Sequence, residues 1–334
     1  MSENRVHFRE TAASILADKL GCDDIEATRD RVVPAALSAA LIENGITLML
    51  VPEAQGGVGA DIGDAVAILR ASGAAAAPGP LLETLLGNLL LARAGLEPVK
   101  GLMTLAFSDE TTPGALYDVP WGGLVDHVLV ITPTGLLLTV AQDWTVIPGF
   151  DEADEPRDTL KAQAISGVSG TLELSQRQIR LMASVLRAGQ ILGAIEWVLT
   201  RSIDYAGERK QFGREISKFQ VIQQMLAELA DHMLASAGMT EAAAESVSET
   251  LVAAARSRLG DASDAAVAIG HQVHGALGFS REYALNHRTR RLMAWRDDYG
   301  SVLEWRRMLA ADFIGCSRDS FWPAVSDAGL GAAT

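Results

Sequence analysis

The chain has 334 residues, 28 of them Lys or Arg and 42 Asp or Glu, which leaves a net charge of −14. That field repels a phosphate backbone and an anionic bilayer, so nucleic-acid binding and membrane-surface binding are excluded as general roles. Hydrophobic residues make up 49% and aromatics only 5%, with Ala and Leu dominant, so a mostly helical protein of two or three domains is expected.

Two cysteines, Cys22 and Cys316, stand far apart and outside any Cys-x-x-Cys or Cys/His pattern. No zinc site, no other metal site and no disulfide framework is expected, and reduced thiols in the cytoplasm are. The N-terminus, MSENRVHFRE, is too polar for a signal peptide. No uninterrupted apolar run reads as long enough to span a bilayer.

Residues 1–100 read as a helical domain. Val32, Val33, Leu37, Leu41 and Ile42 fall at helical spacing. Pro52, Gly56, Gly57 and Gly59 then mark a turn, and helix resumes from Asp64 to about Ser72. Pro80 opens the helical stretch LLETLLGNLLLARAG. Residues 101–176 carry short apolar runs rich in β-branched residues, among them Val128, Val130, Ile131, Val146 and Ile147, and predict a small β domain. The acidic stretch 151–158, DEADEPRD, reads as a solvated loop.

Residues 177–325 read as a C-terminal helical bundle. Phe219, Ile222, Leu226, Leu229 and Met233 recur at spacings of three and four, the seam of a bundle helix. Thr240 reads as the cap of the next helix. Further helices are expected over 262–276, 283–294 and 300–315, and the tail SDAGLGAAT reads as frayed.

The densest motif is YAGERKQFGREISKFQVIQQMLAELAD, residues 205–231. Tyr205, Glu208, Arg209, Gln211, Phe212, Gly213, Ile216, Phe219, Gln220, Gln223, Leu226 and Ala227 stand at the spacing of a motif of the acyl-CoA dehydrogenases, the flavin-dependent family this chain resembles. An arginine beside a turn ending in glycine suits a pyrophosphate, which it can grip through two parallel hydrogen bonds. A second stretch, residues 271–291, resembles the family's Gln-x-x-Gly-Gly-x-Gly-Phe segment. Gln272, Gly275, Gly278 and Phe279 match, and Ala276 replaces the second glycine. His274 and His287 in this stretch read as hydrogen-bonded structural histidines. A third stretch, VPEAQGGVG from Val51, resembles an N-terminal turn of the family.

The resemblance implies a fold of N-terminal helices, a central β-barrel or sandwich and a C-terminal four-helix bundle. It implies an FAD cofactor whose diphosphate lies against Arg209, Gln211, Phe212, Gly213, Phe219, Gln220, Gln272, Gly275, Ala276 and Gly278. In the family that arginine reaches across a subunit interface, so a dimer or tetramer is implied, with an acyl-CoA substrate and an electron-transfer flavoprotein as acceptor.

Two features depart from the family. Ser108, Asp109 and Glu110 stand where its Thr-Glu-Pro segment opens the β domain, and no Gly-Ser-Asp follows. The catalytic glutamate is missing from both of its family positions, which hold Ala183 and Tyr299 here. Asp298 and Asp297 are the nearest substitutes, in a loop read as exposed. The chain therefore resembles the shorter subunit of heteromeric bacterial dehydrogenases of steroid side-chain degradation, which completes an interfacial FAD site with a longer homologue. A self-sufficient homo-oligomer using Asp298 as base, and a non-catalytic scaffold for CoA esters or a partner, are the alternatives.

Overall fold

The structure, a computed structural model, describes residues 3–111, 114–163 and 165–330. Thr112 and Pro113 of the departing segment and residues 331–334 of the predicted frayed tail lie outside the described residues. The described chain forms two compact units. One takes in the residues up to Leu69 with Ala77–Ala183; the other takes in Arg70–Ala76 and the chain from Ser184 onward.

The first unit begins with helices α1 (Glu3–Lys19), α2 (Cys22–Glu26) and α3 (Ala35–Glu43), the start of α4 (Ile62–Ala75), and α5 (Leu81–Arg93). The expected turn is present, with Gly56 and Gly59 at φ of 85° and 71°. Strand β1 (Met103–Phe107) runs parallel to β3 (His127–Thr132), which forms a hairpin with β4 (Gly135–Val140), and β7 (Val168–Gly170) edges that sheet. A second sheet orders β2 (Ala115–Pro120), β6 (Arg157–Lys161) and β5 (Thr145–Ile147). Between them Ala106, Leu116, Val128, Val130, Trp144 and Leu160 form the β core. The Trp144 indole N–H is satisfied by Thr139 Oγ1 at 2.9 Å.

The acidic stretch 151–158 is not a solvated loop. Asp158 is fully buried and takes both ends of the Arg31 guanidinium, at 2.8 and 2.9 Å, while Gly123 N–H donates to it at 2.8 Å. Asp151 is also enclosed, and burial followed by the Glu155 charge pushes its carboxyl up to about 7.

The second unit is the helical bundle. It is built from most of α6 (Gln176–Glu208), then α7 (Gln220–Glu245), α8 (Glu249–His274), α9 (Ala284–Trp295), α10 (Val302–Phe313) and α11 (Arg318–Leu330). Ile191, Ile195 and Val198 of α6, Leu229 of α7, Leu259 and Ile269 of α8, and Leu292 and Trp295 of α9 share one core. The end of α4 joins this unit because two glycines let backbones touch. A Cβ on Gly193 would lie 1.9 Å from the Arg70 carbonyl oxygen, and one on Gly73 would lie 1.9 Å from that of Gln190.

Three expectations change in this unit. Thr240 does not cap a helix: it is buried inside α7, and Ser248 caps α8 by accepting from Leu251 N–H at 3.3 Å. The helix expected over 262–276 is the second half of an unbroken α8. Residues 326–330, expected to fray, continue α11. By length and composition α6 is apolar enough to cross a membrane, although Arg187 and Glu196 interrupt its apolar run, and 89% of that window is buried within the protein, as in a core helix.

Candidate functional site

Helix α6 ends where Arg209 N–H closes onto the Tyr205 carbonyl at 2.9 Å. The chain then makes a two-stranded finger, β8 (Lys210–Gln211) against β9 (Arg214–Glu215). Its turn residues Phe212 and Gly213 have φ of 52° and 81°. Positive φ at both central positions gives the tight turn that matches strand twist. Glycine adopts it freely, and Phe212 adopts it at a cost. Phe212 is also 92% exposed at the finger tip. The Phe219 ring packs edge-on to Phe212 at 6.2 Å and lies under the Arg214 guanidinium at 4.2 Å.

The C-terminal end of α8 faces this finger across a cleft of about 740 Å³. Arg209, Gln211, Phe212 and Phe219 line one wall, and Gln272, His274, Gly275 and Ala276 line the other, over a floor that includes Tyr205 and Ile222. Seven of the ten residues predicted for the FAD diphosphate thus share one cleft. Gly213, Gln220 and Gly278 are not on its lining. Gly278 is buried, and a Cβ there would press on His271 and Leu285 at 3.1 Å, so packing explains that glycine. Gly275 has φ of 59°, and a Cβ there would meet nothing within 4 Å. Its backbone borders open space, as a ligand-facing turn requires.

The electrostatics are one-sided. Helix α8 brings its carbonyl end, and so negative potential, to the cleft. Positive charge comes from Arg209, which is exposed and has no ion pair or side-chain hydrogen bond among the described residues. An open, unpaired guanidinium opposite a backbone turn fits an anionic diphosphate.

His274 lies in the cleft wall as a structural histidine in one respect, with Nδ1 2.8 Å from the Gly270 carbonyl. His287 is a neutral ring: burial, then Arg291, Arg288 and Arg290, push it down to about 4.

The base candidates sit elsewhere in the bundle. Asp298 is not the exposed loop carboxylate the sequence reads as. Its side chain is 9% exposed, with Oδ2 3.0 Å from Arg187 Nε. Arg187 in turn lies over the Trp295 and Tyr299 rings at 5.3 and 5.8 Å. Arg256, fully enclosed, donates Nη2 to the carbonyls of Trp295, Arg296 and Asp298 at 3.1, 3.0 and 2.8 Å. Asp297 is engaged too, 3.0 Å from Arg296 Nε and accepting from Val302 N–H at 3.1 Å at the start of α10. Ala183 is completely buried. The arginine clamp on this loop was missed from sequence. Its only trace is that Arg187 and Arg256 interrupt otherwise apolar helix faces.

The geometry thus defines a class of protein: a helical bundle with a cofactor-sized, arginine-rimmed cleft, preceded by a helical segment and a small two-sheet β region. The comparisons narrow the class. Residues 178–297 match the acyl-CoA dehydrogenase C-terminal domain, and residues 2–101 match the acyl-CoA dehydrogenase N-terminal domain. The chain is 28% identical over 302 residues to acyl-CoA dehydrogenase IpdE2 of Mycobacterium tuberculosis (strain ATCC 25618 / H37Rv), covering 85% of this chain and 89% of that one. The fold is similar to the ChsE4-ChsE5 complex from Mycobacterium tuberculosis, with a TM-score of 0.84 at 19% identity over 95% of this chain and 99% of that one. It is likewise similar to the Tcur3481-Tcur3483 steroid ACAD variant, with a TM-score of 0.81 at 20% identity over 99% of each chain. The chain belongs to the acyl-CoA dehydrogenase family of oxidoreductases.

Proposed function

We propose that this chain is the non-base subunit of a hetero-oligomeric acyl-CoA dehydrogenase, and that it completes an FAD site with a longer homologue. The observation that carries the reading is the state of the base loop. Tyr299 and Ala183 hold the two family positions, and the nearest carboxylate, Asp298, is buried against Arg187. That carboxylate is occupied by its ion pair with Arg187 at 3.0 Å rather than presented to a substrate.

The reaction removes the proton α to a thioester and the hydride on the β carbon, leaving an α,β double bond. A bound flavin would supply the hydride acceptor, and a carboxylate of the partner subunit would take the proton. In this chain Arg209 holds an anionic diphosphate by charge and paired N–H donors. Phe212 and Phe219 offer apolar rings beside it, and the Gly275 turn lets the ligand approach the backbone. We assign a bulky, ring-bearing acyl-CoA such as a steroid-derived thioester as substrate, on the strength of the steroid ACAD among the structural relatives. An electron-transfer flavoprotein as acceptor and a cytoplasmic location, consistent with two free thiols, belong to the same proposal.

The test is the visible absorption spectrum of the chain purified alone and after co-expression with the longer homologue. We expect a colourless lone chain and a yellow complex, with Arg209→Ala lowering the complex's flavin content at least tenfold. Stoichiometric flavin and full turnover in the lone chain would refute the division between subunits.

A further inference from the structure

The cleft contains a hydrogen-bond acceptor that the fold leaves without a donor. His274 ends α8 and is 3% exposed. Its ring stacks on Tyr205 with centroids 4.5 Å apart and leans on Tyr283 at 5.4 Å. The carbonyl of Gly270, 2.8 Å from Nδ1, can only accept, so Nδ1 carries the ring hydrogen. Nε2 is then a bare lone pair, buried, with no hydrogen-bond partner among the described residues.

No donor among the described residues reaches Nε2 within hydrogen-bond distance. Arg201 donates Nε to the Tyr283 hydroxyl at 3.2 Å and its two terminal nitrogens to Glu208 at 3.4 Å. His271, one turn earlier, is in the opposite tautomer. The Thr289 hydroxyl hydrogen goes to the Leu285 carbonyl at 3.2 Å, so the 3.0 Å contact to Thr289 Oγ1 is made by an Nε2–H of His271. Burial lowers His274 from its ordinary value, and Arg201 and His271 lower it further, against the Gly270 hydrogen bond. The ring is therefore neutral at neutral pH and Nε2 stays an acceptor.

A buried acceptor without a donor is unfavourable, and such atoms in native folds mark places where a ligand or water belongs. A diphosphate oxygen cannot serve, because it too only accepts, and two lone pairs face to face repel. The missing atom must bring a hydrogen. We propose that His274 Nε2 accepts a hydroxyl hydrogen from a sugar or ribityl group of the nucleotide cofactor, beside the diphosphate that Arg209 holds. This rests on the FAD reading above. It makes His274 a positioning residue that fixes the polyol next to the anion.

The experiment is a fluorescence titration of FAD at pH 8 into the full-length chain, in whichever form holds flavin, alone or with its partner. His274→Phe keeps a ring against Tyr205 and removes the acceptor, and we expect affinity to fall roughly five- to tenfold. His274→Gln restores an acceptor oxygen near the Nε2 position and should bind within about threefold of the parent. FAD deoxygenated in the ribityl chain and FAD deoxygenated in the adenosine ribose identify the source. One of the two should bind the parent roughly five- to tenfold more weakly, yet bind His274→Phe as well as FAD does. If Arg209→Ala leaves FAD affinity unchanged, the cofactor reading falls and this inference falls with it. If Arg209→Ala weakens FAD while His274→Phe binds like the parent, this inference alone is overturned. If His274→Phe does not fold, the analogues decide on the parent protein, and equal affinity for FAD and both deoxy analogues overturns the inference.

Discussion

Asp298→Asn separates a structural carboxylate from a catalytic one. Oδ2 of Asp298 and Nε of Arg187 are 3.0 Å apart, on side chains 9% and 6% exposed. Arg256 lies in the same buried space. Burial pushes it down to about 10, Asp298 opposes that fall and Arg187 adds to it. Removing the carboxylate charge leaves two guanidinium groups facing each other without it. Breaking a buried pair by deleting one partner costs about 3–5 kcal/mol. The substituted amide would still offer an oxygen, and Arg187 also donates Nη1 to Gln190 Oε1, so we expect about 2–3 kcal/mol. At roughly 2–3 °C per kcal/mol for a chain of this size, the melting temperature falls by about 4–9 °C. A cycle with Arg187→Met should give a coupling of about 2 kcal/mol. Differential scanning calorimetry reads the stability, and turnover per bound flavin in the assembled complex should stay within about threefold. A variant that melts like the parent but loses turnover by about a thousandfold would refute the reasoning and make Asp298 the base.

Other changes probe the scaffold around the site. Gly193→Ala places a methyl 1.9 Å from the Arg70 carbonyl, so α4 and α6 must separate; we expect a loss of about 2–3 kcal/mol in urea unfolding, and an unchanged midpoint would refute backbone contact there. Asp158→Asn removes the charge that Arg31 grips at 2.8 and 2.9 Å and should cost about 2–3 kcal/mol, with refolding of the β region as the sensitive readout. His287 is held down to about 4 in the folded chain, against about 6.5 unfolded. The folded state then binds fewer protons between those values, so stability is full above pH 6.5 and declines as pH falls toward 4. Solvent around the half-buried ring reduces the ideal linkage of about 3 kcal/mol to about 1–2. His287→Gln should remove that part of the decline in urea midpoints taken at pH 5 and pH 7.

Much of the cleft was legible in the sequence because each wall is local. Arg209 to Phe219 form one turn and helix start, and Gln272 to Ala276 form one helix end, so short-range spacing fixes each. The strand region was legible through its β-branched runs. What stayed hidden depends on partners far along the chain. Asp158 reads as one acid among several until Arg31, 127 residues earlier, buries it. Asp298 reads as a loop residue until Arg187 closes over it. Thr240 and Ser248 are both suitable caps by type, and only the packing of α7 on α8 selects Ser248. The contact that requires glycine at positions 73 and 193 is between helices rather than within one, so no local spacing marks it.

The bundle distributes its charged groups in a way that bears on the division of labour. In the base loop several polar groups are engaged in holding the fold. Arg256 takes three carbonyls, Asp297 accepts from the start of α10, and the Trp305 indole donates to the Gly300 carbonyl at 2.8 Å. The Ser301 hydroxyl and Glu304 carboxylate close a capping box on α10. At the finger the opposite holds. Arg209 is exposed and has no ion pair among the described residues, and Phe212 is 92% exposed in a turn of positive φ. An exposed guanidinium costs little while hydrated, and it gains strength when a partner surface excludes water around an anion. A chain with a tied base loop and an open cationic finger is suited to the proposed role of completing a neighbour's cofactor site.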